Sequence, residues 1–203
     1  ITAGTGINIG TPGMPNVMRH GAKVAAMGGT DSLFSYGSAW ANLSNTPWRL
    51  YKHYSHEGGI SSPLIVHWPA GVKARGQWRD QPGHIIDVMA TLVDVAGAAY
   101  PKERAGVMTQ PMEGVSLRPA FVNKSLARQA PLFFEHDGSR AVRDGDWKLV
   151  SMRDGAWELY NIAADRTELH NLASQRPDLV KTLATRWEAW AVRTNVLLRP
   201  GSR

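Results

Sequence analysis

PLFFEHDGSRAVRDGDWKLVSMRDGAWELYNI, residues 131–162, carries the strongest structural signal in the chain. Its β-prone runs PLFFEHD, RAVRDGDWKLVSM and AWELYNI are punctuated by Asp144-Gly145 and Asp154-Gly155. Asp-Gly tolerates the left-handed backbone that a tight hairpin needs, so the stretch predicts an antiparallel meander. An amphipathic helix is expected next, over residues 177–192. Pro177 suits its first turn, where a missing N–H costs nothing. Leu179, Leu183, Trp187 and Trp190 recur at spacings of four, four and three, which makes one apolar stripe. That stripe is expected to lie on the meander as core.

Upstream of about residue 130 the character changes. Residues 1–47 are rich in Gly, Ser, Asn, Thr and Pro and read as loop, with a helical turn near Met14 to His20. The glycines at 4–10 follow no strand and so do not make a phosphate-binding turn. Leu64, Ile65 and Val66 form a short apolar run between prolines, expected as a strand buried on both faces. HIIDVMATLVDVAG, residues 84–97, reads as a helix with Ile85, Val88, Met89, Leu92 and Ala96 on its core face. Gly97 is its expected stop. Residues 98–130 are mostly connection, with a turn and short helix at GVSLRPAF. A strand followed by a core-facing helix suggests the edge of an α/β layer.

The 203 residues include no cysteine, which excludes disulfides and thiolate metal sites. The net charge is +6 and the pI about 9.8, a balance suited to anionic partners. Lys and Arg are scattered, with no basic helix or aromatic RNA-binding signature, so no nucleic-acid partner is expected. No apolar run approaches the roughly 20 residues of a membrane span. The first residues show no signal-peptide pattern, and a start at Ile1 reads as a piece of a longer protein.

Residues 52–59 read Lys-His-Tyr-Ser-His-Glu-Gly-Gly. His53 and His56 lack the helical HExxH spacing of a metalloprotease, and no metal ligands are expected here. Lys52 lies just before the expected strand, where ligands collect in α/β sheets. Its ammonium is a compact cation with three donors, suited to an anionic oxygen. Glu135, His136, Asp137 and Arg140 sit at the start of the meander, where the polar residues of a surface hairpin face solvent. Arg143, Asp144, Trp147 and Lys148 read as structural, through turn chemistry and a packed indole.

Four segments taken together resemble the type I sulfatase family. KHYSHEGGISSPLIVHWP is similar to its lysine and Glu-Gly-Gly element, and HIIDVMATLVDVAG to the Asp-containing helix that follows. AVRDGDWKLV and WELYNIAADRTELHNLA are similar to its C-terminal signature. They occur in the family's order over about residues 48–192, and WANLSNTPWRLYKHYSHEGG is most similar to the bacterial arylsulfatase branch. The resemblance implies the end of an alkaline-phosphatase-like α/β domain over residues 1–130. It implies a small domain over 131–203, a four-stranded antiparallel sheet packed on a C-terminal helix.

It also implies hydrolysis of sulfate esters by a formylglycine nucleophile and a bound Ca²⁺, in a periplasmic or secreted protein. Lys52 matches the family lysine that contacts the sulfate group, and His136 and Arg140 are candidate substrate contacts from the small domain. By the same resemblance, the nucleophile motif, the paired Asp-Asn metal ligands and the other catalytic Lys and His residues are expected in the N-terminal part and not in this sequence. The chain alone is therefore expected to be inactive, its partner being the missing N-terminal part of the same fold. Two alternatives remain open: a phosphonate monoester or phosphodiester hydrolase of the same superfamily, and a non-catalytic module that binds an acidic glycan.

Overall fold

The computed structural model describes residues 37–153 and 155–196. The glycines at 4–10, the turn expected near Met14 to His20, and Asp154 lie outside them. The elements run α1 (Gly37–Ser44), α2 (Glu57–Ile60), α3 (Ile86–Val95), β1 (Glu103–Arg104) and β2 (Val107–Met108). A 3-10 turn (Arg118–Val122) follows, then β3 (Leu132–His136), β4 (Ser139–Asp144), β5 (Trp147–Ser151), β6 (Glu158–Asn161) and α4 (Pro177–Arg193). Two compact units result, one of residues up to Ser62 with those from Phe133 onward, the other Pro63–Leu132.

In the first unit the meander forms as expected, a sheet of order β3-β4-β5-β6. Asp137 and Gly138 link β3 to β4 with φ of 52° and 86°, the left-handed pair of a tight hairpin. Between β4 and β5 the tight loop is Gly145-Asp146, because Asp144 still pairs with Trp147 as the end of β4. The β5–β6 connection is wider. There the Ser151 hydroxyl donates to the Gly155 carbonyl at 2.8 Å.

Strand side chains alternate between faces, and both faces of this sheet are covered. On one face Val142, Leu149 and Leu159 pack against Leu183, Trp187 and Ala191 of α4. The stripe expected as core is core: Leu183 and Trp187 are each 1% exposed, and Leu179 and Trp190 pack around them. The Trp187 indole donates to the Phe134 carbonyl at 3.0 Å, so its one polar atom is satisfied. A side chain of this size hides about 150–250 Å², worth on the order of 4–6 kcal/mol at about 25 cal/mol/Å². Ala141, Val150, Tyr160 and Ile162 cluster with Phe134 as the second core group.

The second unit departs from expectation in two places. Leu64, Ile65 and Val66 form no strand and are 61%, 89% and 43% exposed. A strand is held by main-chain bonds to a neighbour, and no described strand pairs with this run. The helix forms as α3, but Ile85, Val88, Met89 and Leu92 are exposed, and its buried residues are Asp87, Ala90 and Thr91.

Asp87 organises this unit. Its carboxylate accepts from the His84 and Val115 backbone N–H groups at 2.7 and 2.9 Å and from Arg128 at 2.5 Å. Thr91 passes the tie on by accepting from the Leu117 N–H at 2.9 Å. Beyond α3, Gly97 takes φ of 60°, and the bonds from Gly97 to Asp94 and from Ala98 to Val93 make a Schellman stop. The short helix expected within GVSLRPAF is the 3-10 turn. Residues 37–44, expected as loop, are helical, because Ala39, Trp40, Ala41 and Leu43 favour a helix more than their Gly and Ser neighbours oppose it. No described helix is long and apolar enough to cross a membrane.

Candidate functional site

The face of the sheet opposite α4 is covered by residues 49–62, and chemistry-bearing side chains gather there. The loop is tightly wound. Leu50 and His53 adopt φ of 65° and 81°, a region that costs an ordinary side chain energy unless its surroundings hold it. Gly58 and Gly59 are required on steric grounds. A Cβ on Gly58 would stand 2.1 Å from the Leu50 carbonyl oxygen, and one on Gly59 2.0 Å from that of Tyr54. The Glu-Gly-Gly run thus lets the start of α2 lie directly on the preceding turn.

Below that turn Ser55, His56 and Glu57 are buried, and each is fixed to the sheet or to the loop after it. The Ser55 N–H donates to the Ser139 hydroxyl at 2.8 Å. Lys148 of β5 donates to Glu57 at 2.9 Å. Its Nζ also lies 2.8 Å from Glu168 Oε1, off the hydrogen-bond direction but within ion-pair range. The second Glu168 oxygen accepts from the Glu57 N–H at 2.8 Å. Burial alone would raise the Glu57 carboxyl, but Lys148, with Arg143 and Arg166 beyond it, holds it below the usual carboxylate range. For Glu168 burial wins and the shift is upward.

A second group adjoins the first. Arg49 donates to Glu158 and to the Tyr160 hydroxyl, both at 2.8 Å, and the Tyr160 hydroxyl donates to Glu158. Burial raises the Tyr160 phenol strongly, and Glu158 raises it further. His56 Nε2 lies 3.5 Å from Glu158. Burial lowers the His56 imidazole to about 4 against the pull of Glu158, so the ring is neutral near pH 7.

At the exposed rim Lys52 faces solvent and makes no hydrogen bond among the described residues. Next to it in sequence, His53 Nδ1 lies 3.2 Å from Asp137 Oδ2 and 3.1 Å from His136 Nε2, with the two rings stacked at 5.0 Å. The loop and the β3–β4 hairpin thus bring His136 to His53, although 83 residues separate them. His56 takes no part, being buried on Glu158.

Arg140 lies with its guanidinium over the Trp157 ring at 4.4 Å and within 5.5 Å of Trp187. Glu135 accepts from the Gly138 N–H at 2.8 Å and shapes the hairpin. The buried Lys148 was legible in sequence only as a structural residue, and nothing local pointed to Glu57 as its partner. The grouping of His53 with His136 and Asp137 had no sequence signal at all.

Residues 47–191 match the family described as N-sulphoglucosamine sulphohydrolase, C-terminal. Over 107 residues the chain is 36% identical to an arylsulfatase of Klebsiella aerogenes, covering 52% of this chain and 23% of that protein. Over 105 residues it is 31% identical to an N-acetylgalactosamine-6-sulfatase of Canis lupus familiaris, covering 52% of this chain and 19% of that one. The crystal structure of Ps i-CgsB superposes with a TM-score of 0.60 at 25% identity, over 72% of this chain and 32% of that chain. The chain therefore spans about a fifth of the length of these two curated relatives.

Proposed function

The chain belongs to the N-sulphoglucosamine sulphohydrolase C-terminal family, and from that premise we propose that it is the C-terminal part of a sulfuric ester hydrolase. The observation that carries the reading is the 49–62 loop. Its interior is pinned by Glu57 to Lys148 and Glu168, while Lys52 stands free at its rim. A pinned loop fixes the backbone from which the Lys52 ammonium can reach an anionic oxygen, which supplies part of the positioning that electrostatic catalysis requires.

On this reading residues 1–130 close the catalytic α/β domain and residues 131–203 form the small domain beside it. Lys52 contacts a sulfate oxygen. Charge on the sulfate oxygens shifts as the S–O bond breaks, so a fixed cation there helps the transition state more than the ground state. His136 of the β3–β4 hairpin is a candidate substrate contact. Arg140, with its guanidinium on two indoles, is the weaker candidate. The substrate class is a sulfate ester, and the names of the relatives favour one carried on a sugar.

The calcium and formylglycine of this family do not fit the residues present. Ca²⁺ takes six to eight oxygen ligands. Among the described residues, the cluster able to hold a metal is two imidazoles and one carboxylate. The chain has no cysteine, and its Ser-x-Ala-x-Arg run, Ser139 to Arg143, lies within strand β4, where Ser139 is buried with its hydroxyl bonded to the Ser55 N–H and the Ser151 carbonyl and so offers no nucleophile to a substrate. We assign both to the N-terminal part of the parent. That part would also cover the exposed apolar side chains Leu64, Ile65, Ile85, Met89 and Leu92. A periplasmic or secreted location accords with the same reading.

The test is an assay of the parent polypeptide and of this chain alone on a chromogenic aryl sulfate with Ca²⁺. Turnover by the parent and none by the chain is expected. A parent that cleaves phosphonate monoesters or phosphodiesters but no sulfate ester would overturn the proposal, as would turnover by the 203-residue chain itself.

A further inference from the structure

His53, His136 and Asp137 present three ligand atoms to one another within 4.8 Å. The separations are 3.1 Å between His53 Nδ1 and His136 Nε2, 3.2 Å from His53 Nδ1 to Asp137 Oδ2, and 3.9 Å from His136 Nε2 to the same oxygen. Around a tetrahedral ion with bonds of about 2.0–2.2 Å, ligand atoms stand roughly 3.3–3.5 Å apart. The observed sides bracket that range, two slightly below it and one above. Hydrogen bonding accounts for it less well. One ring nitrogen carries either one proton or one lone pair, and His53 Nδ1 cannot direct it along both short contacts at once. A cation in the middle would use all three lone pairs together.

The supporting groups fit the same picture. Arg153 donates to the Asp137 carbonyl at 2.6 Å, and its guanidinium lies 3.8 Å from Asp137 Oδ1, whereas the histidines lie nearest Oδ2. Such contacts turn Oδ2 toward the rings, as outer partners commonly orient a metal-binding carboxylate. Both histidine side chains are 55% exposed, so an ion can enter from solvent and keep a position for water or an anionic oxygen.

We propose that His53, His136 and Asp137 bind one dication of the zinc class. Imidazole nitrogens favour Zn²⁺, Cu²⁺ or Ni²⁺ over Ca²⁺ or Mg²⁺, so this site differs from the calcium site assigned above to the parent. The ion joins the 49–62 loop to the β3–β4 hairpin. The proposal does not depend on the sulfatase reading, since all three ligands lie in this chain.

Titration of the protein with Zn²⁺ by calorimetry at neutral pH should show one ion bound per chain in the micromolar range. His53→Ala, His136→Ala and Asp137→Asn should each weaken binding by about 10-fold or more. His170→Ala, which alters an exposed histidine beside Asp165, should leave it unchanged. Wild-type protein loaded with Co²⁺ should show the intense visible bands of a tetrahedral site, a readout that needs no variant to fold. Absence of Zn²⁺ binding at millimolar concentration, or equal affinity in all four variants, would overturn the proposal. Weak octahedral Co²⁺ bands would do so as well.

Discussion

Lys148 Nζ lies 2.9 Å from Glu57 Oε1, with both side chains buried and 91 residues between them. The Glu-Gly-Gly element and the tryptophan hairpin, two of the segments that carry the family resemblance, are thus two halves of one ion pair. It forms because Lys148 shares a sheet face with Val150, and the 49–62 loop covers that face.

A buried charge that loses its partner is costly, so Lys148→Met should destabilise by about 3–5 kcal/mol, leaving two carboxylates facing each other. Adding Glu57→Gln and Glu168→Gln should restore much of the loss, because the uncompensated charges go too. Urea titration of the single and triple variants decides it. A single-variant loss under about 1 kcal/mol would mean that the pair is open to water.

Gly58→Ala should destabilise by about 1–3 kcal/mol, the scale of forced overpacking. The added carbon meets backbone oxygens of Leu50 and Arg49 at 2.1 and 2.4 Å, which cannot rotate away as a side chain would. An unchanged urea midpoint would show that the 49–51 turn yields freely.

The His56 imidazole titrates at about 4 in the fold, against an ordinary value of 6.5. The native state binds this proton more weakly than the unfolded chain does. Stability is therefore full above pH 6.5 and falls as the pH drops from 6.5 toward 4, by about 3 kcal/mol in all. Glu57 and Glu158, whose carboxyls are held low, add their own losses at still lower pH. Between pH 7 and 5 the unfolding midpoint of wild type should fall more steeply than that of His56→Gln. Parallel curves would mean that the ring takes up its proton as readily in the fold as in the unfolded chain.

In the parent enzyme Lys52→Ala should lower kcat/KM by roughly 10²–10³, as for loss of one charge-stabilising group. Stability should change by about 0.5 kcal/mol or less, since the side chain is exposed. His56→Gln should affect folding more than turnover, because His56 is buried beneath the loop. A Lys52→Ala enzyme with near-normal kcat/KM on a sulfate ester would remove Lys52 from the site.

The sequence by itself determined the meander, α4 and the stripe of Leu183 and Trp187. Those follow from strand alternation, Asp-Gly turns and helical spacing, all set within a few residues of chain. It determined the stop of α3 at Gly97 for the same reason, and the four co-linear segments disclosed the family. Burial of Leu64 to Val66 and of the Met89 face of α3 was misjudged. An apolar run states only what it would bury, and covering it takes a neighbour that the described residues do not supply. Only the tertiary structure decided that Asp87, Lys148, Glu57 and Glu168 are interior charges, and that His53 meets His136 and Asp137. Such partners lie from about 30 to more than 100 residues apart in sequence. No local periodicity encodes which face of the sheet a distant loop will cover, because that depends on the loop's own steric freedom, which Gly58 and Gly59 provide.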